Sequence, residues 1–186
     1  RKRKMPLFSL ETKTEIAAFD FVGFSLQYEM IYTNVLNMLD LAGIPLYAKD
    51  RGEDMPFIVG GGPCVYNVEP VADFFDFFIV GEGEEAIVEV SDAFMAWKKA
   101  GRPGGRKGFL RRLLSADGIY VPSFYEPEYD EEGHYKALRP LAEAAKPVIY
   151  KRVIRDMDDA IAVEPPIVPY MDIVHDRIML ELFRGC

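Results

Sequence analysis

Residues 57–84 read FIVGGGPCVYNVEPVADFFDFFIVGEGE, and the punctuation of this stretch decides the fold. Two short apolar runs, Phe57-Ile58-Val59 and Asp76-Phe77-Phe78-Ile79-Val80, lead straight into glycine loops. These loops are Gly60-Gly61-Gly62-Pro63 and Gly81-Glu82-Gly83-Glu84-Glu85. Short continuous apolar runs bounded by turn residues are the pattern of strands covered on both faces, as in a parallel sheet. Between them, Glu69-Pro70 marks a polar loop and a brief helical turn. After them, Ile87, Val90, Phe94 and Trp97 recur at helical spacing, with Gly101 as a stop.

The same order appears upstream. Phe19 to Leu26 is a third apolar run, followed by a helical stripe of Ile31, Val35, Met38, Leu39 and Ala42 that ends at Gly43 and Pro45. Strand, glycine loop and helix repeated in this way predict an α/β fold with a Rossmann-like, doubly wound, mainly parallel sheet. Downstream, Arg102 to Gly108 reads as a basic Pro/Gly-rich linker, and Phe109, Leu110, Leu113 and Leu114 as a short helix. Past Gly118 the character changes. Tyr120-Val121 and Phe124 to Tyr129 read as strands, Asp130 to Gly133 as a turn, and His134 to Leu138 as the returning strand of an appended antiparallel hairpin. Val148 to Ile154 is a further strand candidate, and Ile161 to Tyr170, with three prolines, is extended connecting chain. Arg177 to Phe183 reads as a last strand running into Arg184-Gly185-Cys186. The expected divisions are 1–118 for the α/β domain, 119–170 for hairpin and linker, and 171–186 for the start of another unit.

Composition narrows the function. The 186 residues are 49% hydrophobic, which supplies a core, and carry 22 basic against 30 acidic side chains for a net charge of -8. That balance argues against binding nucleic-acid backbones, which needs Lys and Arg clustered on one face. Arg1 to Lys4 is the one dense basic run and reads as a solvated end. Apolar runs break within about eight residues, against the roughly twenty of a membrane span, and two cysteines build no disulfide framework. The expectation is a cytoplasmic protein with no membrane partner.

Three strand ends are candidate ligand-binding positions: Ser25, the triplet Gly60, Gly61 and Gly62, and the run Gly81, Glu82, Gly83 and Glu84. In open α/β sheets the ligand crevice lies beyond the carboxyl ends of the strands, where glycine lets backbone approach a ligand closely. Tight strand-to-helix turns require glycine as well, and local spacing leaves both readings open. Neither loop has dinucleotide-fingerprint or P-loop spacing, and Glu82, Glu84 and Glu85 would repel a phosphate. The same carboxylates suit dipole compensation at a helix start better than acid/base chemistry. Cys64 reads as a small packing residue, His134 as exposed beside the hairpin turn, His175 as structural, and Trp97 as core.

Taken in order, Gly60-Gly61-Gly62-Pro63, Glu69-Pro70 and Asp76 to Glu84 resemble the accessory domain of the cobalamin-binding-domain class of radical SAM proteins. The closing Arg177 to Cys186 resembles the first strand of the radical SAM barrel, ending on the first cysteine of a C-x-x-x-C-x-x-C motif. Ser25 to Tyr28 and Val35 to Leu39 resemble one bacterial subfamily in which such a domain precedes the barrel. The resemblance implies a flavodoxin-like or B12-binding-like domain acting in cis with its own barrel. It implies a parent enzyme that holds a [4Fe-4S] cluster, with Cys186 as one of three metal ligands. That enzyme cleaves S-adenosylmethionine to a 5′-deoxyadenosyl radical. Cobalamin is a further cofactor of the class, its nucleotide tail lying along the positions of Ser25, Gly60 and Gly61, with Gly62 in the same loop. The D-x-H-x-x-G motif that ligates cobalt in many cobalamin proteins does not occur, and the strand and helix carrying it are expected to precede residue 1. The rival reading is a stand-alone flavodoxin-like module that binds a nucleotide or a partner without catalysis.

Overall fold

The computed structural model describes residues 5–160 and the single positions 172, 174, 181, 182 and 184. The three apolar runs become strands: Phe21–Ser25 (β1), Phe57–Gly61 (β2) and Phe77–Ile79 (β3), paired in parallel in that order. Ile119–Tyr120 (β4) completes the sheet beside β3 and runs antiparallel. The architecture is therefore α/β with a mixed, mostly parallel four-stranded sheet. Tyr32–Leu41 (α1) lies between β1 and β2 in the chain, and Glu84–Lys99 (α2) and Gly105–Leu113 (α3) lie between β3 and β4. Tyr125–Tyr129 (β5) and Tyr135–Pro140 (β6) form the expected antiparallel hairpin as a separate two-stranded sheet. The chain divides into two compact units, residues 1–153 and 154–186. Among the described residues no helix is long and apolar enough to cross a membrane.

The core explains the register. Phe21, Phe57 and Phe77 lie on one face of the sheet and meet Phe94 and Trp97 of α2 and Phe109 of α3. Ring centroids are 4.6 Å apart for Phe21 and Phe94, and 4.8 Å for Phe57 and Phe109. Each such aromatic pair contributes about 0.5–1.5 kcal/mol beyond its buried area. A one-residue slip of any strand would turn its phenylalanine away from this cluster, so the cluster pins all three strands.

At the amino end of β3 an ionic lock adds to it. Asp76 accepts from Arg51 and from Arg106 at 2.8 Å each, and from the backbone N–H of Ile58 at 2.7 Å, all three charged side chains being buried. Arg51 also donates to the carbonyls of Pro45, Leu46 and Phe74, so all three of its guanidinium nitrogens have partners. Desolvation lowers the pKa of Arg51, yet an arginine this well paired stays protonated.

Three expectations are corrected. The helical stripe on α1 is narrower than its spacing predicts: Val35, Leu39 and Ala42 are buried, whereas Met38 is 42% exposed at its edge. The presumed linker Arg102 to Gly108 is half helix, because Gly104 at φ +74° turns the chain and α3 begins at Gly105, placing Arg106 against Asp76. Val148 to Ile154 is no strand; within it one isolated parallel bridge joins Arg152 to Gly81. The extended segment 161–170 and the final strand 177–183, with Cys186, lie outside the described stretch apart from two single positions.

Candidate functional site

Side-chain size falls along the same face that carries the aromatic cluster. From amino to carboxyl end, β1 presents Phe21, Gly23 and Ser25, and β2 presents Phe57, Val59 and Gly61. A Cβ built at Gly23 or at Gly61 would meet nothing within 4 Å. Helix α2 covers this face, Phe94 and Trp97 packing on the phenylalanines while its first turns, at Ile87, Val90 and Ser91, flank the cavity beside the glycines. The gap is a cavity of about 330 Å³ floored by Gly23, Val59 and Gly61, walled by Ile87, Val90 and Ser91, and edged by Ser25 and the glycine triplet. No lysine or arginine lines it, so it suits a neutral, largely apolar group and not a phosphate.

The edge is polar and well ordered. Leu26 extends the pairing beyond β1, its N–H donating to Gly61 O at 2.7 Å and its carbonyl accepting from the N–H of Cys64 at 2.9 Å. Gly62 sits at φ +91°, where a Cβ would meet Leu26 backbone at 3.0 Å and Ser25 Oγ at 3.1 Å, so the turn requires glycine. Gln27 Nε2 donates to Ser25 Oγ at 2.8 Å, which leaves the Ser25 hydroxyl proton directed elsewhere as a donor. Beside the loop, burial and then the neighbouring Cys64 push the Tyr32 phenol pKa up. Gly60 does a different job: a Cβ there would stand 2.4 Å from the Phe78 ring, so its vacancy is already filled by packing on the opposite face.

The structure thus brings Ser25, Gly60, Gly61 and Gly62 together at one cavity. It places Gly81, Glu82, Gly83 and Glu84 outside that cavity's lining, at the end of β3. Glu69 is explained too: it accepts from the Tyr120 hydroxyl at 2.8 Å, and burial first, then this bond, pushes that phenol pKa far up. At the hairpin tip Asp130, Glu132 and His134 bring ligand-type atoms close, but Asp130 is occupied in accepting backbone N–H bonds from Glu132 and His134 that shape the turn. Sequence reasoning missed Gly23, Ile87, Val90 and Ser91. An isolated glycine inside a strand was the available signal for the first of these.

The cavity lies at the carboxyl ends of adjacent parallel strands of an α/β sheet, the place where open sheets of this kind take ligands. Residues 1–122 match the family described as Radical SAM proteins, N-terminal, and the chain belongs to that family. Uncharacterized protein MJ0966 of the archaeon Methanocaldococcus jannaschii is 36% identical over 122 residues, which cover 64% of this chain and 24% of that protein. The chain therefore spans about a quarter of the length of this curated relative. No solved structure matches.

Proposed function

We propose that this chain is the accessory domain of a radical SAM enzyme and that its crevice over β1 and β2 binds a cofactor of the cobalamin class. The observation that carries the reading is the meeting of Ser25, Gly60, Gly61 and Gly62 at a mostly apolar cavity in a chain of this family. The cavity fits a flat, uncharged heterocycle: two strand positions lack side chains, Ile87 and Val90 supply an apolar wall, and no cation is present to hold a phosphate. Ser25 would donate its hydroxyl proton to the ligand while Gln27 holds its oxygen, and Gly61 would let ring atoms reach the strand backbone. Val90 and Ile87 would exclude water from the inner end of the cavity.

The cluster belongs to the parent enzyme. By its resemblance to the C-x-x-x-C-x-x-C motif of the family, Cys186 would be the first of three cluster ligands, the other two belonging to the parent protein. When bound, such a cluster supplies the electron that cleaves S-adenosylmethionine to a 5′-deoxyadenosyl radical. In this reading residues 1–118 form the B12-binding-like domain, 119–170 the hairpin and linker, and 171–186 the first strand of a barrel. The setting is the cytoplasm.

The test is anaerobic reconstitution of the full-length protein, with deoxyadenosine release and the visible spectrum followed on adding cobalamin. Deoxyadenosine formation that needs Cys186, together with saturable cobalamin binding, supports the reading. Absence of cysteines four and seven residues beyond Cys186 would sink the cluster assignment. Absence of any spectral shift would sink the cobalamin assignment.

A further inference from the structure

The glycine loop after β3 is occupied: another part of the chain lies against it. Arg152 crosses the loop as a one-residue parallel bridge: its N–H donates to Val80 O at 2.8 Å, and its carbonyl accepts from Glu82 N–H at 3.0 Å. Two glycines make that approach possible. At Gly81, with φ +99°, a Cβ would stand 2.2 Å from Arg152 O and 2.6 Å from Arg152 N. At Gly118, with φ +71°, it would stand 2.9 Å from Arg152 Cβ. The side chain then locks the crossing. The Arg152 guanidinium, 15% exposed, forks between Glu85 and Glu89, one turn apart on α2, with N–O distances of 2.6–3.0 Å. Four charge-assisted bonds to two carboxylates in a fixed fork exceed what a surface ion pair usually achieves.

We propose that Gly81-Glu82-Gly83-Glu84-Glu85, with Gly118 and Glu89, is a socket for the chain's own linker, in which Arg152 is the anchor of a strap. The acidic helix start that disfavours a phosphate is the complement of a guanidinium, and the amide of Glu82, a donor that a ligand would need, is used by the strap. The strap fixes where residues 150–153 leave the first compact unit, and it confines the ligand footprint to the ends of β1 and β2. Arg152 is a positioning residue in this scheme. The inference stands apart from the cobalamin assignment, because it rests on bonds within residues 80–153.

Hydrogen exchange on the 186-residue chain tests it, comparing the wild type with Arg152→Ala, Arg152→Lys and the double variant Glu85→Gln, Glu89→Gln. The amides of Glu82 and Arg152 are expected to be protected in the wild type. In Arg152→Ala and the double variant their exchange should rise at least about tenfold while β1 to β3 remain unchanged. Arg152→Lys should recover part of the protection. Raising salt from about 0.05 to about 1 M, which shortens the Debye length to about 3 Å, should accelerate exchange at residues 150–153 in the wild type and leave Arg152→Ala unmoved. Trypsin should cut after Lys151 and Arg152 faster in the double variant than in the wild type. Wild-type exchange at Arg152 as fast as in an open peptide would overturn the proposal. So would equal protection in wild type and Arg152→Ala, or no response to salt.

Discussion

The loops after β2 and β3 stand side by side at the same end of the sheet, and their glycines do opposite work. After β2, Gly61 faces open space and Gly62 makes the turn that brings Ser25 to the cavity edge. After β3, Gly81 is packed to contact by the backbone of Arg152. A glycine can mean room for something to come or room for something already there, and the backbone conformation alone does not separate the two: Gly62 and Gly81 have φ of +91° and +99°. Residues distant in sequence decide it. Arg152 lies 71 positions beyond Gly81, and Ile87 and Val90 belong to a helix that follows the other loop.

Substitutions can break this comparison, and the largest effect belongs at the opposite end of β3 as a reference. Asp76→Ala leaves Arg51 and Arg106 buried without their carboxylate and should cost about 3–5 kcal/mol in urea denaturation. Gly81→Ala combines a left-handed backbone with a Cβ against Arg152 and should cost about 2–4 kcal/mol, or expel the strap. Gly60→Ala forces the Phe78 ring to move and should cost about 1–3 kcal/mol, whereas its neighbour Gly61→Ala should stay within about 0.5 kcal/mol of the wild type. Equal losses at Gly60 and Gly61 in the same denaturation series would erase the distinction between packing glycine and cavity glycine.

The smallest effect concerns pH. Hydrogen bonding to Arg152 holds the Glu89 carboxyl pKa below its ordinary 4.5, so its contribution is complete above that value and is lost as pH falls through the lowered one. Denaturation midpoints between pH 6 and about pH 2 should therefore drop less in Glu89→Gln than in the wild type, a difference confined to the acid limb.

Much of the fold was legible because it is written locally. The three parallel strands, the three helices and the hairpin follow from apolar periodicity and glycine punctuation, and the crevice positions Ser25, Gly60, Gly61 and Gly62 follow from their places at strand ends. What escaped was tertiary. Nothing local marks Arg106 as the buried partner of Asp76, so α3 began earlier than its apolar residues indicate. Nothing local marks Arg152 as the occupant of the Gly81 loop, so a strap read as a strand. Gly23 carries no signal of its own within the apolar run Phe19 to Leu26, yet it forms part of the cavity floor.

The most direct test of the crevice assignment is a cobalamin titration of the full-length protein beside its Gly61→Val and Arg152→Ala variants, read by the visible spectrum. The expected result is saturable binding in the wild type and in Arg152→Ala, with at least about a tenfold loss of affinity in Gly61→Val, where the new side chain fills the cavity. Undiminished binding in Gly61→Val, or no binding by the wild type, would contradict it.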